Sequence, residues 1–473
     1  VAVLKLIKPN DAAWLLVEKP EQPVHVACLA ICSKPEGAPR GYLRDWVDRW
    51  RECRSFAPPF NYRYRPGLLP MWEQLDDADI DLEYHLRHSA LPEPGGEREL
   101  GVLVSRLHSH RLDRRRPLWE CHVIEGLEHG RFALYVKMHH SQVDGVGGIR
   151  MVQRSFTADP AQRDQPPIWS VGMGGKAAAP EQEQGERAPR RTPGAAVREQ
   201  IDTLRPLGKA MLELLREARG GAESDAAVPF AAPKSVLNGR IHGPRRFATQ
   251  HYELARIKAL AKRAGVTVND VFVAICAAAL RRYLMERHEL PSETLTAGLP
   301  MSIRPAGDAA VGNAFSMIFA RLHTDIRDPL ERLEAISRSA RAAKARVEQL
   351  PRAAVNNYTM LSMGPYMVQL MLGLGGYSRP LSNIVISNVP GPQETLYFNG
   401  ARVEEFYPIS LLFNGQALNI SVVSYAGQFN LGFTGCRDSL PSMQRLAVYT
   451  GEALEELETA LAERPEGRAK VAS

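Results

Sequence analysis

The clearest chemical signal in the chain is a pair of adjacent histidines followed at fixed distance by an aspartate and a glycine. The string reads Met138-His139-His140-Ser141-Gln142-Val143-Asp144-Gly145. A neutral imidazole can take a proton from a hydroxyl near pH 7, a contribution of roughly 10²–10⁴ in rate. The string stands where a strand-like run from 131 to 141 gives way to a glycine-rich turn. Along a strand, neighbouring side chains point to opposite faces. Counting back from His140, its face carries Met138, Val136, Leu134 and Phe132, whereas His139 shares a face with Lys137, Tyr135 and Ala133. Strand alternation therefore places His140 on the apolar face, against a buried substrate. A lone histidine there would more often be a satisfied core residue, but this one belongs to a seven-residue pattern.

Three further groups are candidates for the same chemistry. Asp144 precedes a helix expected over about 146–154. Its carboxylate either caps that helix, worth ~1 kcal/mol, pairs with an arginine, or acts directly. Capping or pairing is the favoured reading. Arg304, in Met301-Ser-Ile-Arg-Pro305 after a strand, is the candidate partner, with an ordinary surface arginine as the alternative. Asn269 and Asp270 open a strongly apolar helix that runs to 284. They either face a tunnel, the amide steadying an oxyanion or the acceptor hydroxyl, or simply occupy a helix N-terminus that favours them.

The elements that must hold these groups are mixed. Strands are expected at 24–31, 119–127, 131–141, 247–254, 295–301, 316–322, 383–389, 417–425 and 429–434, with a helix at 41–51. Glu128-His129-Gly130 makes a short hairpin loop between two of the strands. From Asp159 to about Pro193 the chain is rich in Pro, Gly, Gln, Arg and Ala and reads as an exposed linker, followed by a helix from Ala195 to about Arg219. The expected organisation is an N-terminal lobe over 1–158, a linker with one helix over 159–232, and a C-terminal lobe over 233–473, with ligands bound in the cleft between lobes.

Composition bounds the function classes. The 473 residues carry 44% hydrophobic and 24% charged side chains, as in ordinary globular proteins. The net charge of +6 fits nucleic acid, anionic cofactors or lipid headgroups, or a merely soluble surface, and decides among none of them. Six scattered cysteines, with only Cys28 and Cys32 near each other, argue against a zinc site or a disulfide scaffold. The run Val1–Lys8 is too short for a signal peptide. No charge occurs between Arg352 and Arg379, yet Asn356, Asn357, Pro365, Gln369 and several glycines interrupt that stretch, which favours a buried or interfacial helical pair over a membrane span. Within it Met360, Met363, Met367 and Met371 suit either plain core packing, the favoured reading, or the wall of an acyl tunnel, with Gly364-Pro365 expected to break the helix. Arg114-Arg-Arg116 is either a phosphate receiver or, more simply, a solvated charge run before a strand whose Trp119 belongs to the core.

The histidine string resembles the HHxxxDG signature of the superfamily that includes chloramphenicol acetyltransferase, carnitine acyltransferases and peptide-synthetase condensation domains. Several further blocks are similar to bacterial wax ester synthase/diacylglycerol acyltransferases and occur in that family's order. They are Asn10-Asp-Ala-Ala-Trp-Leu-Leu-Val-Glu18 with Pro23-Val-His-Val26, Pro117-Leu-Trp-Glu120, Asn269-Asp-Val-Phe-Val-Ala274, Ser387-Asn-Val-Pro-Gly-Pro392 and Asp438-Ser-Leu-Pro441. The resemblance implies two chloramphenicol-acetyltransferase-like α/β lobes with a tunnel at their interface. It also implies an O-acyltransferase that uses acyl-CoA as co-substrate, no metal or other cofactor, and a long-chain alcohol or diacylglycerol as acceptor. His140 is then the general base, with His139, Asp144 and Gly145 completing the motif. It further implies a cytoplasmic enzyme held peripherally at a membrane or lipid inclusion, with no nucleic-acid partner; no oligomeric state follows. Two rivals remain at this point. One is a condensation-type enzyme with carrier-bound substrates, for which Leu374-Gly-Gly-Tyr-Ser378 imitates an attachment site too close to the next strand to form a carrier domain. The other is a non-catalytic acyl-CoA or lipid binder.

Overall fold

The computed structural model describes residues 3–67, 69–172, 225–302, 315–350 and 352–464. The first half runs β1 (Val3–Leu6), α1 (Pro9–Val17), β2 (His25–Ser33), α2 (Tyr42–Glu52), β3 (Tyr62–Arg65), β4 (Met71–Gln74), α3 (Leu82–His85), β5 (Leu86–Ala90), α4 (Glu97–Ser109), β6 (Trp119–Glu125), β7 (Arg131–His139), α5 (Gly145–Ser155) and α6 (Ile168–Val171). The second half runs β8 (Arg245–Glu253), α7 (Leu254–Ala264), α8 (Val268–Glu286), β9 (Thr296–Ser302), β10 (Phe315–Arg321), α9 (Pro329–Glu348), α10 (Arg352–Met371), β11 (Ile384–Pro390), β12 (Tyr397–Phe398), β13 (Ala401–Ile409), β14 (Leu418–Tyr425), β15 (Gln428–Cys436) and α11 (Arg445–Glu463).

Two mixed six-stranded sheets form the centres of two lobes. One has the order β12-β13-β2-β7-β6-β5 and the other β10-β9-β11-β14-β15-β8; β1, β4 and β3 make a small third sheet. The alternation expected for β7 is present. Phe132, Leu134, Val136 and Met138 pack into a core with Trp46, Trp50 and Trp119. Ala133 and Tyr135 instead face Leu100 and Val104 of α4. Helix α2 supplies the first core because Leu43, Trp46, Val47 and Trp50 recur at helical spacing and bury one stripe. Helix α8 is apolar on every side and is correspondingly buried in the second lobe, against α7, α9 and α11.

The lobes are stitched together by polar groups as well as packing. The hydroxyls of Ser105 and Ser109 on α4 accept from the N–H groups of Phe247 and Arg245 at 3.0 and 2.9 Å. Helix α4 thereby covers the outer edge of β8, which would otherwise present unpaired backbone donors.

The expected three-part division needs two corrections. Strands β12 and β13, from the second half of the sequence, pair into the first lobe's sheet, β13 lying antiparallel to β2. The exposed linker also begins later than Asp159, because Trp169 is wholly buried and stacks near Trp119 at 5.5 Å, its indole donating to the Cys53 carbonyl. A tryptophan in a Pro-rich run thus anchors the chain to the first core. The helix expected from Ala195 to Arg219 lies outside the described residues. Gly364-Pro365 does not break α10, which continues from Arg352 to Met371. No single helix among the described residues is long and apolar enough to cross a membrane.

Candidate active site

A cavity of about 400 Å³ lies where the lobes meet. The first lobe contributes Trp14, His140, Asp144, Gly145 and Val146; the second contributes residues of β9, β10, α10, β11 and the 410–419 segment. Its wall is mainly apolar, including Met317, Phe319, Met363, Met367 and Leu411, with a few polar groups such as Ser387, Asn388 and Gln416.

His140 lines this cavity on the face that strand alternation gives it. Strand β7 ends at His139, but the His140 N–H still donates to the Val24 carbonyl at 3.0 Å, in the register that pairs His139 with His25 and Met138 with Val26. Its ring stacks on Trp14 of α1, centroids 4.5 Å apart and planes inclined by 27°. Burial holds its imidazole below the ordinary histidine value, while a hydrogen bond to its own backbone and the nearby Asp144 carboxylate pull the other way. The site therefore holds a neutral base near pH 7.

His139 points the other way and does not line the cavity. Its Nδ1 accepts from the Ser141 N–H at 3.1 Å and faces the Ser141 hydroxyl at 2.7 Å. The proton therefore sits on Nε2, which faces the Glu18 carboxylate at 3.7 Å. Glu18 also accepts from the Val24 N–H and from Arg114 Nε, at 3.1 and 2.9 Å. One buried carboxylate thus holds the backbone segment that bonds to the second histidine and faces the first.

Asp144 is the N-cap of α5, its Oδ1 accepting from the Gly147 N–H at 2.7 Å. Capping is the favoured reading above, and it holds. Arg304, the candidate partner, lies outside the described residues. Gly145 has a spatial reason for its identity: a Cβ there would stand 3.1 Å from Val389 Cγ2 on β11, where the lobes touch.

Asn269 and Asp270 do not reach the cavity. Asp270 is buried in a reciprocal cap with Thr267, at 2.9 and 3.1 Å, and accepts from the Ser337 hydroxyl at 3.0 Å. Asn269 acts at one remove, its Oδ1 accepting from Asn388 Nδ2 at 3.3 Å. Asn388, near the end of a strand expected over 383–389, is the one of this pair in the cavity wall. Trp14 and Glu18 were likewise missed, although both lie in a block singled out for its resemblance. The three arginines 114–116 are engaged by Glu18, Asp113 and Asp81 rather than held open for phosphate. Met363 and Met367 do line the cavity, so the tunnel reading applies to them. No group of three metal-ligating side chains occurs among the described residues, and the six cysteines are free thiols.

Two α/β lobes closing over a buried histidine at the end of a strand define the two-lobed acyltransferase class that resembles chloramphenicol acetyltransferase. A profile of the wax ester synthase/diacylglycerol acyltransferase catalytic domain matches residues 7–272, and one of the WS/DGAT C-terminal domain matches 311–458. The chain belongs to the wax ester synthase/diacylglycerol acyltransferase family and is an O-acyltransferase. It is 38% identical to the O-acyltransferase WSD of Acinetobacter baylyi, over 98% of each chain. It is 42% identical to a Mycobacterium tuberculosis protein that bears the name diacylglycerol O-acyltransferase, over 96% of this chain and 97% of the other. The solved wax ester synthase/diacylglycerol acyltransferase from Marinobacter aquaeolei superposes with a TM-score of 0.77 at 39% identity, covering 97% of this chain and 100% of that one. The first condensation domain of the calcium-dependent antibiotic synthetase shares the fold alone, at 17% identity and a TM-score of 0.57, over 98% of this chain and 97% of that one.

Proposed function

We propose that the chain transfers the acyl group of a long-chain acyl-CoA to the hydroxyl of a fatty alcohol or a diacylglycerol, with His140 as general base. The observation that carries this reading is the imidazole of His140, neutral and stacked on Trp14, in the wall of an apolar cavity between the lobes. His140 takes the proton of the acceptor hydroxyl as its oxygen attacks the thioester carbonyl carbon. The tetrahedral intermediate collapses with cleavage of the C–S bond. The departing thiolate takes the proton back from the imidazolium, leaving free CoA, an ester and a neutral base. Atoms and charge balance without a metal or a redox partner. Acceptors of this kind reside in lipid, so the enzyme works peripherally at the cytoplasmic surface of a membrane or lipid inclusion.

The test is an assay with palmitoyl-CoA and either hexadecanol or a diacylglycerol, following free thiol and ester together. Wild-type protein is expected to form both in equal amounts, and His140→Ala to lose roughly 10²–10⁴ in kcat/KM with little change in melting temperature. Tight binding of both substrates without ester formation refutes the reading.

A further inference from the structure

Helix α10 has two apolar faces. Met363, Tyr366 and Met367, three and one residues apart, point into the cavity. Val368, on the far side of the helix, is exposed, as is Met371 where the helix ends, and the turn that follows continues outward with Leu372, Leu374 and Tyr377. Leu372 and Tyr377 each retain 68% of their surface in solvent.

This turn is not loose chain. The N–H groups of Leu372, Gly373 and Leu374 bond back to Val368, Leu370 and Gln369 of α10. Gly375 lies so close to Asn414 that a Cβ would stand 2.8 Å from its carbonyl oxygen. At Gly376, which has a left-handed φ of +85°, a Cβ would stand 3.0 Å from Arg240. A firmly seated turn therefore holds large apolar side chains in water, an arrangement that marks an interaction surface.

Cations surround the knob. Arg240 lies 4.9 Å above the Tyr377 ring and donates to the Gly373 carbonyl. Lys19 Nζ lies 3.3 Å from where a Gly373 Cβ would stand. Arg379 follows two residues on and shares a surface pocket with Lys234, in which Glu293 is the one acid. No charge of either sign occurs from 353 to 378.

We propose that the turn 371–377, with Val368, inserts into an anionic phospholipid surface and that the rim of Lys19, Lys234, Arg240 and Arg379 binds the headgroups. Apolar side chains ringed by cations match the chemistry of such a surface: the acyl region takes the first and the anionic headgroups the second. The inner face of the same helix lines the cavity, so a docked molecule sets its active site one helix thickness from the lipid. The assignment rests on the proposed lipid acceptors.

The experiment is co-sedimentation of the full chain with phosphatidylcholine vesicles, with and without phosphatidylglycerol. The variants are Leu372→Ser/Leu374→Ser and Lys234→Glu/Arg379→Glu, each also assayed for ester formation with a water-soluble short-chain alcohol. Wild type is expected to sediment with anionic vesicles at least tenfold better than with zwitterionic ones. The serine variant is expected to lose binding to both and the glutamate variant to lose the anionic preference, while both keep short-chain turnover. Unchanged sedimentation of the serine variant overturns the docking surface. So does wild-type dimerisation through this patch, seen in sedimentation velocity and abolished in the serine variant. Vesicle binding that follows the expected pattern without any ester formation overturns the acyl-transfer reading instead.

Discussion

Acidification to about pH 5 should weaken the fold through its buried histidines. His25, His85, His108, His122, His139 and His140 are all buried in the first lobe and all held below their ordinary value, burial being the largest cause in each. Two have values: His85 is pushed down to about 4 and His108 to about 3. The unfolded chain takes protons near pH 6.5 that the folded chain refuses, so stability is complete above that pH and falls as pH drops below it. Between about pH 7.5 and 5.0 each of the two costs about 2 kcal/mol, about 4 kcal/mol together. The other four have the same sign and add to it. Glu120, by contrast, is pulled down to about 2 by His122 and Lys137 against the cost of burial, so the stability it contributes is lost as pH falls from its ordinary value of 4.5 towards 2, mostly below this interval. A domain is typically stable by about 5–15 kcal/mol, so the effect is a large share of the total. Urea titrations at the two pH values read it directly. His108→Gln isolates one contribution, because a glutamine amide can still donate to the Ser410 carbonyl that His108 Nε2 now meets at 2.9 Å. That variant should lose about 2 kcal/mol less than wild type over the same interval. Equal stability of wild type at both pH values, or an unchanged pH dependence in His108→Gln, refutes the reasoning.

The remaining predictions concern the site. The general base must be neutral, and burial lowers its pKa, so kcat/KM is expected to be flat at neutral pH and to fall only below the ordinary histidine value. Asp144→Asn keeps a good N-cap but removes a charge that raises the His140 pKa, so the acid limb moves to lower pH; an upward move contradicts the assignment. Asp144→Ala removes the cap and should cost about 1 kcal/mol with activity falling alongside, as melting and turnover measured together would reveal; an inactive variant of wild-type stability refutes a structural role. Gly145→Val overfills the contact with Val389, costing about 1–3 kcal/mol. Its melting temperature and turnover should both drop, and a variant indistinguishable from wild type removes the spatial reason for that glycine.

Much of the first lobe was legible because β7 combines a strict alternation with a turn motif at its end. The alternation located the two faces correctly, the Trp-rich core under one and α4 under the other. Strand β13 was not legible. Its sequence, Ala401-Arg-Val-Glu-Glu-Phe-Tyr-Pro-Ile409, breaks alternation at a register shift between Val403 and Glu405, and it pairs with β2 from 369 to 382 residues away in sequence. Periodicity reports which side of a strand is apolar, and carries nothing about which sheet the strand joins. Trp169 was lost for a related reason, since a Pro-rich composition gives no hint that one aromatic within it has a slot between Trp50 and Trp119.

The site itself shows what alternation could and could not supply. It put His140 on the face opposite His139, and in the structure His140 lines the cavity while His139 faces Glu18. What it could not supply is the support of the segment that pairs with it. The Val24 carbonyl, just outside β2, takes the His140 N–H, and the Val24 N–H is in turn held by Glu18, the carboxylate that faces His139. Local pattern could not supply this, because the two segments are over a hundred residues apart. The motif's first histidine, its second histidine and Glu18 therefore form one positional unit. A substitution at Glu18 acts on the base through backbone placement rather than through the reacting atoms.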